Sequence, residues 1–155
     1  MRKNKSLLIK LFLWLVICQI PSLLGAPFVY ANMNWYDQLI KPALTPPDTL
    51  FGMVWAVLYV LLGLSAFFAF REKFHARPLA LFAGQLALNI CWTPIFFGAH
   101  SLLGALLLML AMLGEMVGLL RAFWKASPLA GFLLLPYTMW MVFALYLTTG
   151  FWWLN

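Results

Sequence analysis

The chain has 155 residues, 65% of them hydrophobic and only 9% charged, with a formal net charge of +6. So small a charged fraction cannot clothe a water-facing surface, which excludes an ordinary soluble domain, and the length leaves room for one bundle and no second domain. The sequence is that of an integral membrane protein, and because its apolar runs are continuous where barrel strands would alternate, the spans are helical.

At about 1.5 Å per residue, roughly 20 apolar residues cross a hydrocarbon layer about 30 Å thick. Five runs meet that length or nearly so: residues 6–26, 51–70, 79–99, 101–120 and 128–153. The break between the third and fourth is marked only by Gly98, His100 and Ser101. Arg2, Lys3, Lys5 and Lys10 open span one, Arg71, Lys73 and Arg77 follow span two, and Arg121 and Lys125 follow span four, leaving Lys41 alone on the opposite side. That asymmetry predicts a cytoplasmic amino terminus, with residues 35–47 and the carboxyl terminus facing outward. The basic residues thus set orientation, and no nucleic-acid role is implied.

Span one also admits a second explanation. MRKNK before an apolar run resembles a secretory leader, with Val29-Tyr30-Ala31 as a cleavage site, but the run is long and carries Gln19 and Pro21 where a leader core is plainly apolar. A retained span is therefore expected, with Trp14, like Trp152 and Trp153 in the last span, as a headgroup anchor. Cys18 and Cys91 both lie inside apolar runs, which argues against a disulfide or a metal cluster.

Residues 27–50 form a connection too long for an unstructured loop, and such connections are often lids. At its centre is WYDQLIKPALTPP, residues 35–47. Asn34 can cap a short helix with Trp35, Leu39 and Ile40 on one side, Pro42 must stop it, and Pro46 and Pro47 hold the adjoining backbone stiff and extended. The competing reading is a surface connection whose aromatics rest among headgroups.

Spans two, three and five carry polar and aromatic stripes. Span two aligns Phe51, Trp55, Tyr59, Leu62 and Ala66; span five aligns Tyr137, Trp140, Ala144 and Thr148. On span three, Gln85, Asn89, Trp92 and Phe96 fall within about 60° of one another, opposite Ala80, Ala83, Ala87 and Pro94. Amides in hydrocarbon are costly unless satisfied, so Gln85 and Asn89 should point inward. The alanine face is then a close-packing seam, either between two copies of the protein or against a neighbour in the same chain. Aromatic walls, a few amides and hydroxyls and a lid are what a pocket for a large flat ligand requires; ordinary interhelical packing is the alternative.

Span four has Gly104, Leu108, Ala111 and Glu115 on one side, with Gly114 and Gly118 spaced for a close helix contact. Glu115 is the one acid within a span; near the cytoplasmic end, it should snorkel or pair with the basic loops. His75 and His100 lack partners at metal-ligand spacing, and no metal site, phosphate loop, nucleophile elbow or paired carboxylates are found, so no catalytic residue is assigned.

These residues support a resemblance. WYDQLIKP with Pro46-Pro47, Val54-Trp55-x-x-Leu58-Tyr59, Gln85-Leu86-x-Leu88-Asn89-x-x-Trp92-Thr93-Pro94-x-Phe96-Phe97 and Pro136-Tyr137-x-x-Trp140 are similar to ordered blocks of the tryptophan-rich sensory protein family, also called the translocator protein or peripheral benzodiazepine receptor family (TspO/MBR). The likeness runs from about Trp35 to Asn155 and barely touches span one. It implies an all-α, five-helix membrane bundle as a single domain over residues 1–155, often a homodimer through small residues of span three. It also implies a pocket under the first outer loop that binds tetrapyrroles such as protoporphyrin IX, with no obligatory cofactor, and in animal members sterol and synthetic drugs. The family's pocket tryptophans match Trp55 and Trp140, its lid aromatics match Trp35 and Tyr36, with Pro42 closing that block, and its amide matches Asn89. Leu147-Thr148 stands where many members have Leu-Asn, so a contact made by that amide passes to a shorter hydroxyl or is lost. No basic residue follows Tyr146, which argues against sterol binding. The short basic start lacks the look of an organelle transit peptide, so a bacterial inner membrane is expected. The expected function is tetrapyrrole binding for sensing, sequestration or transport; the alternatives are light-dependent porphyrin breakdown and proton-coupled export using Glu115.

Overall fold

The computed structural model describes residues 2–71 and 74–155, with side chains from residue 5 onward. Lys73 lies outside the described residues, as do the side chains of Arg2 and Lys3. Among the described residues six α-helices occur in order: α1 (Arg2–Ala31), α2 (Met33–Tyr36), α3 (Asp48–Phe70), α4 (Ala76–Thr93), α5 (Leu102–Ala126) and α6 (Pro128–Leu154). A π-helical turn, Pro94–Gly98, extends α4. Five of these segments are long and apolar enough to cross a membrane, so the protein is a multi-pass, all-helical membrane bundle.

The ends of the helices obey local chemistry. Pro47, extended at φ −54° and ψ 141°, sets the start of α3, and Asp48 in the first turn complements the helix dipole. Ser101 caps α5 by accepting from the Gly104 amide at 3.2 Å. Ser127, extended between α5 and α6, is followed by Pro128 at the first helical position, where a missing N–H costs nothing.

Three boundaries differ from the expectation. Helix α1 runs to Ala31 with Pro21 and Pro27 inside it, so the connection to α3 is shorter than residues 27–50. Span three ends in the π turn, closed by the Ala99 amide donating to Pro94 O at 2.8 Å, because Pro94 cannot continue the regular ladder. Helix α5 continues to Ala126, which leaves Glu115 near its middle and far from the basic end. There Glu115 lies against Gly84 of α4, half-buried between the two helices. Gly84 leaves the room: a Cβ at that position would collide with the carboxylate.

The long helices close into a ring in the order α1, α3, α6, α5, α4 and back to α1. At the end where Lys5, Lys10, Arg71, Arg77, Arg121 and Lys125 gather, the core is aromatic. Trp14 stacks on Phe70 at 5.2 Å between centroids and meets Phe82 edge-on at 5.3 Å; Phe70 in turn meets Phe123 at 5.4 Å. Trp14, expected as a headgroup anchor, is therefore also a partly buried packing residue that ties α1 to α3 and α4. Nearby the Ser65 hydroxyl donates to the Ala130 carbonyl at 2.7 Å, a buried link between α3 and α6. Trp153, by contrast, stays 78% exposed at the other end.

Close approach of α1 to α3 depends on Gly63. A Cβ there would lie 3.1 Å from both the Leu15 Cα and the Trp14 carbonyl oxygen, which are backbone atoms that cannot rotate away. Gly63→Val is expected to destabilise the bundle by about 1–3 kcal/mol through this overpacking, read as a lower unfolding midpoint in detergent.

Candidate ligand-binding site

Between the outer halves of the helices lies a cavity of about 770 Å³, inside the range of roughly 300–1,000 Å³ typical of ligand pockets. Helix α3 contributes Phe51, Trp55 and Tyr59; α4 and its π turn contribute Asn89, Trp92, Phe96 and Phe97; α6 contributes Ala144, Thr148 and Phe151. Trp92 and Phe96 stack at 4.9 Å with planes 15° apart, presenting a flat aromatic wall. Trp55 lies 5.6 Å from Tyr59 on the α3 side.

The floor is a buried polar knot. Asn89 Oδ1 accepts from the Tyr137 hydroxyl at 3.0 Å and from the Tyr59 hydroxyl at 3.3 Å, while its Nδ2 donates back to the Gln85 carbonyl at 2.7 Å. One amide thus serves α3, α4 and α6. Gln85 is also buried, its Nε2 donating to the Met141 sulfur at 3.4 Å. The inward orientation of both amides expected from the helical stripe is found, for the expected reason: hydrocarbon offers no other partner. The Thr148 hydroxyl donates to the Ala144 carbonyl at 2.8 Å, so it lines the cavity already satisfied. Among the described residues Trp92 Nε1, Trp140 Nε1 and Gln85 Oε1 are buried without a hydrogen-bond partner.

The outer segment is built differently from the expectation. Asn34 does not cap a helix; the single turn Met33–Tyr36 begins after Asn32, and Leu39 and Ile40 lie beyond it. Asn32 instead reaches His100, its Oδ1 being 3.0 Å from the ring Nε2. Trp35 stacks flat on His100 at 4.1 Å. His100 holds a left-handed backbone, φ 52°, which suits a residue whose ring is clamped between lid and α4–α5 turn. Farther along, Asn155 bonds Ile40 twice, accepting from its amide at 2.8 Å and donating to its carbonyl at 3.1 Å, and the Tyr146 hydroxyl donates to Ala43 O at 3.0 Å. Pro42 packs against Gly150.

Four expected site residues therefore stand off the cavity wall. Trp35 is a second layer, edge-on to Phe96 at 5.7 Å, and Tyr36 beside it is the lid ring that faces the cavity. Pro42 borders a shallow groove on the outer side of α6. Tyr137 sits behind the wall, 5.9 Å from Trp55, and Trp140 sits 5.9 Å from Phe51. The reason is that α3 packs on α6 so that Phe51 and Trp55 come between these two rings and the void.

Helix α1, which the sequence stripes ignored, supplies Pro21, Ser22, Gly25, Ala26, Val29 and Tyr30 to the wall, and α5 supplies Met109 and Met112. Span one has no polar or aromatic stripe that could have shown this. The only signal was Gly25, where α1 approaches α4 so closely that a Cβ would come 2.9 Å from Thr93 Oγ1. Ala80, Ala83 and Ala87 are exposed on the outside of α4, so their seam is not filled by a neighbour in the same chain. Glu115 does not reach the cavity. Among the described residues no group of His, Cys, Asp and Glu could hold a metal ion.

Residues 11–154 match the TspO/MBR family. This chain belongs to that family. It is 34% identical over 146 residues to protein CrtK of Rhodobacter capsulatus, covering 92% of this chain and 90% of that one. It is also 38% identical over 141 residues to the human translocator protein (85% and 83% covered) and 36% identical over 127 residues to the tryptophan-rich sensory protein of Cereibacter sphaeroides (82% and 79%). The match begins at residue 11 and so includes α1, in keeping with the share of the cavity wall that α1 provides in this family member.

Two outcomes are expected. Replacing Asn89 by Leu strands two buried phenols, at about 1–3 kcal/mol for each unpaired group; adding Tyr137→Phe should recover part of that loss, so a double-mutant cycle on unfolding midpoints will be non-additive. Tyr36, in the lid, has its phenol pushed up to about 12, first by burial and then by the Asp48 and Asp37 carboxylates. A phenol held neutral favours the closed lid, and that contribution is whole below the ordinary value of about 10 and lost as pH rises through about 12. Near-ultraviolet circular dichroism should show an alkaline step in that window which Tyr36→Phe abolishes.

Proposed function

We propose that this protein binds tetrapyrroles or closely similar flat macrocycles in the cavity beneath its outer lid, to sense, sequester or move them. The observation that carries the reading is the stacked pair Trp92 and Phe96, which lines the same roofed void as Trp55. A flat aromatic ligand gains from stacking on such rings roughly 1–3 kcal/mol per ring. Tyr59 and Tyr36 supply hydroxyls at two heights, and the lid, fixed at His100, Ala43 and Ile40, would close over the ligand.

Names among the relatives point the same way only in part: one is a translocator and another a sensory protein, and neither name states a ligand. The basic end is assigned to the cytoplasm by its charge, which places the lid outside, and a bacterial inner membrane suits the bacterial relatives. The exposed Ala80, Ala83 and Ala87 face is assigned to contact with a second copy.

The test is a protoporphyrin IX titration of the full chain in neutral detergent, followed by tryptophan quenching. Trp55→Leu and Trp92→Leu should each weaken binding about tenfold, equivalent to about 1.4 kcal/mol, whereas Trp140→Phe should leave it within about twofold because that ring stands behind Phe51. Equal losses in all three variants, or no saturable quenching in the parent, would defeat the reading.

A further inference from the structure

The cavity wall contains one charged side chain. Asp48 stands at its rim, exposed, in the first turn of α3. Among the described residues lining the cavity there is no Lys, Arg or His. The basic group nearest in the lid, Lys41, is already engaged: its Nζ lies 3.3 Å from Asp37 Oδ1 and 4.5 Å from the centre of the Tyr36 ring. Asp48 has no such partner among the ion pairs of the described residues, and its field reaches the Tyr36 phenol on the cavity wall.

An anionic ligand would therefore enter a low-dielectric chamber with no cation to meet it and a carboxylate at the mouth. We infer that Asp48 makes this site selective by charge, so that it takes flat aromatic ligands whose rim-facing groups are neutral or cationic in preference to those bearing free carboxylates. Within the tetrapyrrole reading, on which this rests, the favoured class is macrocycles with esterified or otherwise neutralised acid arms. A dicarboxylate still binds, with its acid arms turned out past the rim into water.

The experiment compares protoporphyrin IX with its dimethyl ester, in the same quenching titration, in the parent, Asp48→Asn and Asp48→Lys. Comparing the ratio of the two dissociation constants between variants cancels the difference in how the ligands partition into detergent. The parent should favour the diester over the diacid about fivefold more than Asp48→Asn does at low salt, the size of a charge pair at contact distance in water. Asp48→Lys should shift the ratio about as far again in the opposite direction. Molar salt, which shortens the screening length to about 3 Å, should collapse the difference.

A second ligand pair without a macrocycle, an aminoacridine cation and an anthracene carboxylate, separates this inference from the tetrapyrrole reading. If tetrapyrroles fail to bind but the acridine-to-anthracene preference moves with Asp48, the macrocycle assignment falls and the charge rule stands. If tetrapyrroles bind with a diester-to-diacid ratio that is the same within twofold in all three proteins, the charge rule is overturned and the macrocycle assignment survives. If no member of either pair binds, both fall.

Discussion

Asn89 Oδ1 receives hydroxyls from Tyr59 on α3 and from Tyr137 on α6, and the same amide is tied to its own helix through Gln85 O. In hydrocarbon there is no water to satisfy these groups if the helices part, so three of the five crossings are held in one rotational setting by a single side chain. Everything beyond that knot inherits the setting. Trp55 is one turn outward from Tyr59 on α3, Trp92 and Phe96 come after Asn89 on α4, and Thr148 lies about three turns outward from Tyr137 on α6, so fixing the floor fixes which residues form the walls.

The roof obeys a different economy. Residues 37–47 contain no long helix, so backbone groups there find partners piecemeal, Asn155 for Ile40 and Tyr146 for Ala43, while the preceding Asn32 and Trp35 side chains meet the His100 ring. Each link is exposed or partly so and individually weak. The floor is therefore held by buried hydrogen bonds and the roof by several modest, exposed ones, so local opening costs less at the roof.

The chamber's polarity is uneven in a way that bears on what it can hold. The deep groups, Asn89 and Thr148, already have partners within the protein. What they leave to the chamber is shape and aromatic surface, while the one charged side chain of the described lining, Asp48, stands where the wall meets water. Glu115, the acid that lies within a span, is on the far side of α4 against Gly84 and takes no part in the chamber.

The amino-acid sequence by itself determined the membrane class, the number of crossings and the side of each polar helix that turns inward, because hydrocarbon imposes a length and forbids unsatisfied amides whatever the tertiary arrangement. It also marked the outer segment as more than a bare connection, since prolines and aromatics constrain the local backbone. Only the tertiary structure decided which inward residues reach a void. Tyr137 and Trp140 share a stripe with Ala144 and Thr148, yet α3 places Phe51 and Trp55 in front of the first two and leaves the last two open. Helical periodicity fixes direction but not the depth of a neighbour's side chains. For the same reason α1 was silent in the sequence and prominent in the wall: what it offers is proximity through Gly25 and backbone surface, properties that no polar pattern records.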